Sequence, residues 1–289
     1  MKESLIMSSE ITREEAIAAN IYVHSFLANA GEYQKSPHFY PENIEKVKGI
    51  LQRVSVNLPS ASTAKAIDFG CGTGFMIHLI KDRFAEIHGV DITQDMMKHV
   101  DLSSGNIYLH ESLAENTPFG DDSFDFATAY SFMDHLFDYK DFLKEVYRVL
   151  KTGGIFYSDL NPNRDFIMAM DNIEKSGSTI NSAIVEKEIK GALHNGAYYQ
   201  ENFGVNADVL DKAEPIKSVD KGFNADDVLA TAKEIGFSEC KIEFEWFLGQ
   251  GKVIHQQSLE RACIIDEYLT SVLPASSSLY KYLRFIFIK

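Results

Sequence analysis

Asp68, Gly70, Gly72 and Gly74 step through the chain two residues at a time, in the run Ala-Ile-Asp-Phe-Gly-Cys-Gly-Thr-Gly from Ala66 to Gly74. An apolar run passes through an acid into three glycines and then into a helix-like segment. That pattern suits a ligand held against the backbone, because glycine takes φ angles a Cβ disfavours and lets the ligand approach the main chain. The spacing narrows the ligand. A pyrophosphate-binding turn sets its third glycine three residues after the second, whereas here the step stays at two. Asp91 ends a second apolar run, Gly89-Val90-Asp91-Ile92-Thr93, where a carboxylate can accept hydrogen bonds from two vicinal ribose hydroxyls. The expected ligand carries a nucleoside and no diphosphate. A third feature is His135, in Phe132-Met133-Asp134-His135-Leu136. Its imidazole is the candidate general base, with a structural group bonded to backbone as the alternative. Tyr130, Ser131 and Asp134 flank the same mouth, and His38 and Tyr199 are further candidates for acceptor contact.

These groups need a scaffold that brings several strand ends together. After Pro59 the sequence alternates β-rich runs with helical patterns, which predicts a mostly parallel, doubly wound sheet covered on both faces. Strands are expected at 64–69, 86–91, 106–110, 124–130, 154–159, 240–247 and 282–288, and helices at 75–84, 94–100, 139–150 and 225–235. Lys151-Thr152-Gly153-Gly154 reads as a helix end followed by a turn, and Asn224 as the N-cap of the helix from Ala225. Residues 1–58 look helical, and two long stretches, 160–223 and 249–281, interrupt the alternation. Loops of that length cover a site or are disordered, and Tyr198, Tyr199 and Phe203 make the first too aromatic for a linker. The expected organisation is an N-terminal helical lid over 1–58 and a ligand-binding domain over 59–289, with cap insertions at 160–223 and 249–281 above the C-terminal edge of the sheet.

Composition sets outer limits. The chain has 289 residues, 45% of them hydrophobic, and a net charge of −14 without any long Lys/Arg run. That balance argues against affinity built on phosphate contacts, so no nucleic acid is expected as a partner. Cys71, Cys240 and Cys263 are odd in number and far apart, which indicates neither a disulfide framework nor a zinc site, and a reducing cytoplasm fits. The nine histidines form no cluster at metal-ligand spacing. No apolar stretch of signal-peptide or membrane-spanning length is present, so no membrane partner is expected.

The run Asp-x-Gly-x-Gly-x-Gly resembles the first motif of the class I S-adenosylmethionine-dependent methyltransferases. The resemblance continues in order through Gly89-Val90-Asp91-Ile92-Thr93, Leu113-Ala114-Glu115-Asn116-Thr117-Pro118-Phe119, Phe132-Met133-Asp134-His135-Leu136 and Tyr147-Arg148-Val149-Leu150-Lys151-Thr152-Gly153-Gly154. It is close over about residues 64–160 and points to the small-molecule branch of the family. It implies a Rossmann-like seven-stranded sheet of order 3-2-1-4-5-7-6, the last strand antiparallel, with S-adenosyl-L-methionine as cofactor and S-adenosyl-L-homocysteine as product. Asp68, Gly70, Cys71, Gly72, Gly74, Asp91, Leu113, Ala114 and Tyr130 then belong to the cofactor site. Ile92 and Met96 fall where the family sets apolar side chains against adenine, or are simply core. The family's adenine-reading acid stands where this chain has Leu113, with Glu111 two residues earlier, which leaves that recognition to the Ala114 main chain. Tyr33, in Tyr33-Gln34-Lys35-Ser36-Pro37-His38-Phe39, matches an entry segment whose tyrosine closes over the methionine end, or else fixes a helix against the sheet.

The expected activity is methyl transfer to a small-molecule N, O or C atom by in-line displacement, governed mainly by positioning, in a monomer or homodimer. A protein or RNA methyltransferase would need an open, charged groove. A module that binds the cofactor without catalysis would share every motif above. A nicotinamide dehydrogenase is disfavoured by the glycine spacing and by the lack of a Tyr-x-x-x-Lys pair at the usual place.

Overall fold

The computed structural model describes residues 11–33, 39–59, 62–177 and 182–289. Seven strands, β1 (Lys65–Phe69), β2 (Glu86–Asp91), β3 (Ile107–Glu111), β4 (Phe124–Tyr130), β5 (Leu150–Pro162), β6 (Glu239–Phe247) and β7 (Tyr280–Ile288), form one sheet of order β3-β2-β1-β4-β5-β7-β6. The first five run parallel, and β7 is antiparallel to both β5 and β6. This is the topology that the motif order implies. Every residue of β4 is buried, as a central parallel strand covered on both faces requires.

Helices α1 (Arg13–Asn29), α2 (Pro41–Val54), α3 (Phe75–Ile80) and α4 (Gln94–Met97) precede β3, and α5 (Tyr139–Val149) joins β4 to β5. Between β5 and β6 come α6 (Arg164–Lys175), α7 (Ala183–Leu193), α8 (Asn195–Phe203), α9 (Ala207–Ala213), α10 (Pro215–Ser218) and α11 (Ala225–Ile235). The β6–β7 connection holds α12 (Gln250–Gln256) and α13 (Leu259–Ser271). One face of the sheet packs Ile67, Phe69, Phe156, Phe285 and Phe287 against Phe142 and Val146 of α5 and Val228 and Ala232 of α11. The other packs Ala66, Ile87, Phe126 and Tyr157 against Val47 and Leu51 of α2 and Ile77 and Ile80 of α3.

Asn224 caps α11 as expected, its Oδ1 accepting from the Asp227 amide at 3.0 Å. Two helices are shorter than expected, α3 ending at Ile80 and α4 at Met97. Gly153 and Gly154 form no free turn. The Gly153 amide donates to the Lys289 carbonyl at 2.9 Å and the Lys289 amide returns a bond to Gly154 at 3.0 Å, while Leu150 pairs with Phe124 of β4, so β5 starts before the glycines.

Helix α1 and the helices of 160–223 meet above the C-terminal ends of β1, β2 and β4, whereas α12 and α13 of the expected cap 249–281 pack on Phe244, Phe247 and Tyr280 of β6 and β7. Helix α1 starts with a capping box, the Thr12 hydroxyl accepting from the Glu15 amide and the Glu15 carboxylate from the Thr12 amide. Its Ala19, Val23 and Leu27 recur at four-residue spacing and pack on Val205, Leu210 and Ala213 around α9. Helix α1 and the α8–α9 region therefore share an apolar seam, while α2, the other helix of the expected lid 1–58, belongs to the layer on the sheet face.

Candidate active site

The strand ends build an inner cavity. Gly70, Cys71 and Gly72 after β1, Asp91 to Thr93 after β2, Ser112 to Glu115 after β3 and Tyr130 to Phe132 after β4 line it, with Asn20 and His24 of α1 opposite. Gly70 and Gly72 hold φ of +62° and +52°, values that favour glycine. The turn is pinned by the Cys71 amide donating to the Val90 carbonyl at 3.0 Å. Asp91 is fixed twice over, Oδ2 accepting from the Gly72 amide at 2.9 Å and Oδ1 from the Thr93 amide at 2.7 Å. A carboxylate offers about four acceptor sites, so each oxygen retains a lone pair toward the cavity. Burial pushes the Asp91 carboxyl above its ordinary value, and those two amide bonds oppose the rise.

Of the residues expected at a cofactor, Gly70, Cys71, Gly72, Asp91, Ile92, Met96, Leu113, Ala114, Tyr130 and Tyr33 stand in this wall. Asp68 and Gly74 do not. Asp68 is 2% exposed and accepts from the Thr128 hydroxyl at 2.5 Å behind the turn, where burial lifts its pKa to about 7. Gly74 is the left-handed N-cap of α3, and a Cβ there would meet Val100 at 3.1 Å. Gly70 has a packing reason as well, since a Cβ would fall 2.0 Å from the Phe132 ring. His38 lies outside the described residues.

A roomier outer cavity of about 680 Å³ lies against the first. Asp134 and Tyr199 line it, together with Glu214, Lys217 and Tyr282. His24, Tyr33, Ser131 and His135 line both cavities. Ser131 is held at φ +51° and donates its amide to the Asp159 carbonyl at 3.0 Å, a strained conformation of the kind found where a site fixes a residue. The His135 carbonyl accepts from the Asn20 side-chain amide at 3.1 Å, and Nδ1 lies 3.0 Å from the Ala213 carbonyl. A carbonyl can only accept, so Nδ1 bears a proton, and in the neutral form of the ring the lone pair lies on Nε2. His24 packs edge-on against His135 at 4.7 Å between centroids and hydrogen-bonds the Tyr33 hydroxyl through Nδ1. Burial lowers the His24 pKa to about 3, the His135 charge adds to the fall and Glu214 opposes it. Asn20, His24, Glu214 and Lys217 were not expected from sequence. The one available signal was Asn20, a polar residue 5% exposed on the apolar stripe of α1.

Residues 67–158 match the family model described as a methyltransferase domain. The chain carries a class I S-adenosylmethionine-dependent methyltransferase domain. The chain is 34% identical over 140 residues to a demethylmenaquinone methyltransferase of Staphylococcus saprophyticus, spanning 46% of this chain and 59% of that protein. It is 35% identical over 109 residues to a ubiquinone biosynthesis O-methyltransferase of Idiomarina loihiensis, spanning 34% of this chain and 43% of that one. The matched region thus covers about half the length of these curated relatives. Among solved structures, an S-adenosylmethionine-dependent methyltransferase from Archaeoglobus fulgidus superposes with a TM-score of 0.50 at 19% identity, covering 85% of this chain and 94% of that one. Phosphoethanolamine N-methyltransferase 2 from Haemonchus contortus superposes at 0.52 and 15% identity, covering 94% and 56%. At those identities the likeness is one of fold.

The inner wall of the methyltransferase domain fits the family's cofactor. The Asp91 oxygens match a ribose diol, the two-residue glycine step offers no diphosphate loop, and apolar Ile92, Met96 and Leu113 can flank a flat base. Among the described residues no helix is long and apolar enough to cross a membrane.

Proposed function

We propose that this chain transfers the methyl group of S-adenosylmethionine to a small molecule held in the outer cavity. The observation that carries the reading is the wall common to the two cavities, where His24, Tyr33, Ser131 and His135 face both. A donor in one and an acceptor in the other meet there. The cofactor supplies an electrophilic methyl carbon on a sulfonium, and the protein's work is alignment, worth roughly 7–11 kcal/mol when two reactants are held in line.

In this reading Asp91 accepts from the ribose hydroxyls, Ile92 and Met96 sandwich adenine, the Ala114 main chain reads its edge beside Leu113, and Gly70, Cys71 and Gly72 line the methionine side with Tyr33 and Tyr130 above it. Asp68 acts from behind the turn through Thr128. His135 takes the acceptor's proton on Nε2, with Ser131, Asp134 and Tyr199 around the acceptor. Helix α1 serves as the lid and α6–α10 as the cap, which suits a small acceptor enclosed on most sides. The names of the relatives, both methyltransferases of quinone biosynthesis, support a small-molecule acceptor. Free cysteines and the absence of an apolar spanning helix among the described residues suit work in the cytoplasm.

Calorimetry with S-adenosylhomocysteine and, separately, NAD tests the cofactor assignment, and release of S-adenosylhomocysteine during incubation with candidate acceptors tests transfer. The expected result is tight binding of the first ligand alone. Binding of NAD alone sinks the reading, and cofactor binding without product from any acceptor turns it into a non-catalytic module.

A further inference from the structure

The outer cavity is lined by four carboxyl groups, Glu32, Asp134, Glu188 and Glu214, and two ammoniums, Lys217 and Lys281. Lys281 is ion-paired with Glu188, and Lys217 with Glu214 at 3.1 Å. Each ammonium of this wall thus has its own carboxylate. Asp134 has none. It is 9% exposed, and the nearest cationic partner among the described residues is His135 Nε2, at 4.0 Å, beyond hydrogen-bond reach. No other described side chain donates a hydrogen bond to it. A buried carboxylate without a partner costs several kcal/mol and shifts its pKa rather than bear that cost. Burial indeed raises the Asp134 carboxyl, the Glu214 charge adds to the rise, and His135 and Lys217 oppose it.

We propose that the acceptor is a cationic amine whose ammonium supplies the missing partner of Asp134, and that its nitrogen receives the methyl group. This rests on the methyl-transfer reading above. The surroundings favour a cation over an anion. A phosphate or carboxylate would find both lysines already neutralised and would face the unpaired Asp134, whereas an ammonium gains charge-assisted hydrogen bonds and the faces of Tyr199 and Tyr282, which line the same cavity. The placement also suits the chemistry. Asp134 adjoins His135, and His135 is on the wall shared with the donor cavity. The bound ammonium passes one proton to His135 Nε2. The freed nitrogen pair then forms a bond to the methyl carbon while the carbon–sulfur bond breaks and its pair stays on sulfur. The products are a methylated ammonium, a neutral thioether and an imidazolium beside Asp134.

The test pairs aliphatic and aryl-alkyl amines with their alcohol isosteres, among them 2-phenylethylamine and 2-phenylethanol, measured by calorimetry on protein saturated with S-adenosylhomocysteine. In at least one pair the amine should bind about tenfold tighter or more, the value of one hydrogen bond to a charged group. Asp134→Asn should remove that preference while leaving S-adenosylhomocysteine affinity unchanged, which also reports that the variant is folded. The favoured amine should yield an N-methyl product by mass spectrometry. No amine preference in any pair, a preference that survives in Asp134→Asn, or a methyl group found on another atom overturns the proposal. A failure of S-adenosylhomocysteine to bind the unmodified protein is a different result and removes the methyl-transfer reading itself.

Discussion

Asp91→Asn isolates the ribose contact at almost constant shape. In the native chain two of the carboxylate's roughly four acceptor sites are committed to the Gly72 amide at 2.9 Å and the Thr93 amide at 2.7 Å, which leaves two for a vicinal diol. An asparagine keeps one acceptor oxygen and turns the other position into a donor. That NH2 group must face either a backbone N–H, which repels it, or a ribose hydroxyl that has lost its charged acceptor. Hydrogen bonds to charged groups are worth about 1.5–3 kcal/mol each. Losing one and weakening the other should cost about 3 kcal/mol, or roughly a hundredfold in Kd at about 1.4 kcal/mol per decade. Titration calorimetry with S-adenosylhomocysteine reads the loss directly. Adenosine and 2′-deoxyadenosine complete the cycle: the native protein should prefer the former, and the variant should treat the two alike. The free variant should also lose about 1–3 kcal/mol of stability, because its NH2 faces the amide of Gly72 or Thr93 and leaves it unpaired, so affinities are compared on folded protein. A folded Asp91→Asn protein with nearly unchanged affinity, or with its preference for the 2′-hydroxyl intact, would refute the assignment.

His135→Gln should lower kcat by about 10²–10⁴-fold while S-adenosylhomocysteine affinity stays the same; full turnover with an accepted substrate removes the base role. Gly70→Ala places a methyl 2.0 Å from the Phe132 ring at a residue with φ +62°, which should cost about 2–5 kcal/mol from the left-handed backbone and overpacking together. Thermal denaturation should show a large fall in Tm, partly restored by adding Phe132→Leu, and no rescue speaks against the packing cause. Asp68 has a folded pKa raised to about 7 from an ordinary 3.8, so the stability it permits is complete below about pH 4 and is lost as pH rises to about 7. Asp68→Asn keeps an acceptor for the Thr128 hydroxyl, and its Tm advantage over the parent should grow across that window and level off above it. A constant difference from pH 4 to 8 contradicts the burial argument.

The half of the candidate site assigned to the donor was legible because it is local. Gly70 to Gly72 and Asp91 sit at strand ends whose spacing follows from the βαβ unit, and the hydrogen bonds from Gly72 and Thr93 to Asp91 join residues at most nineteen apart. Asp68 and Gly74 show where motif reasoning stops. Both lie in the glycine-rich run, yet the alternation of side chains along β1 and the start of α3 turn them away from the cavity, toward Thr128 and Val100. The start of β5 was misplaced because its first residue pairs ahead of the glycines, Leu150 with Phe124 of β4. No local signal announces that Gly153 and Gly154 will pair with Lys289, the last residue of the chain.

The acceptor half was not legible because nothing local makes it. Asn20 reaches the His135 carbonyl across 115 positions, and the Ala213 carbonyl that fixes the His135 tautomer comes from 78 positions further along. Only the packing of α1 against α9 brings these two anchors to one imidazole. The same seam buries His24 against the ring, and that burial keeps His24 uncharged at neutral pH, since its pKa falls to about 3. A neutral neighbour matters for the mechanism. A protonated His24 at this distance would repel the imidazolium that His135 becomes in the proposed transfer. Helix α1 therefore does more than cover the cavity: it holds the His135 carbonyl through Asn20 and sets His24 edge-on against the imidazole that the proposed transfer uses.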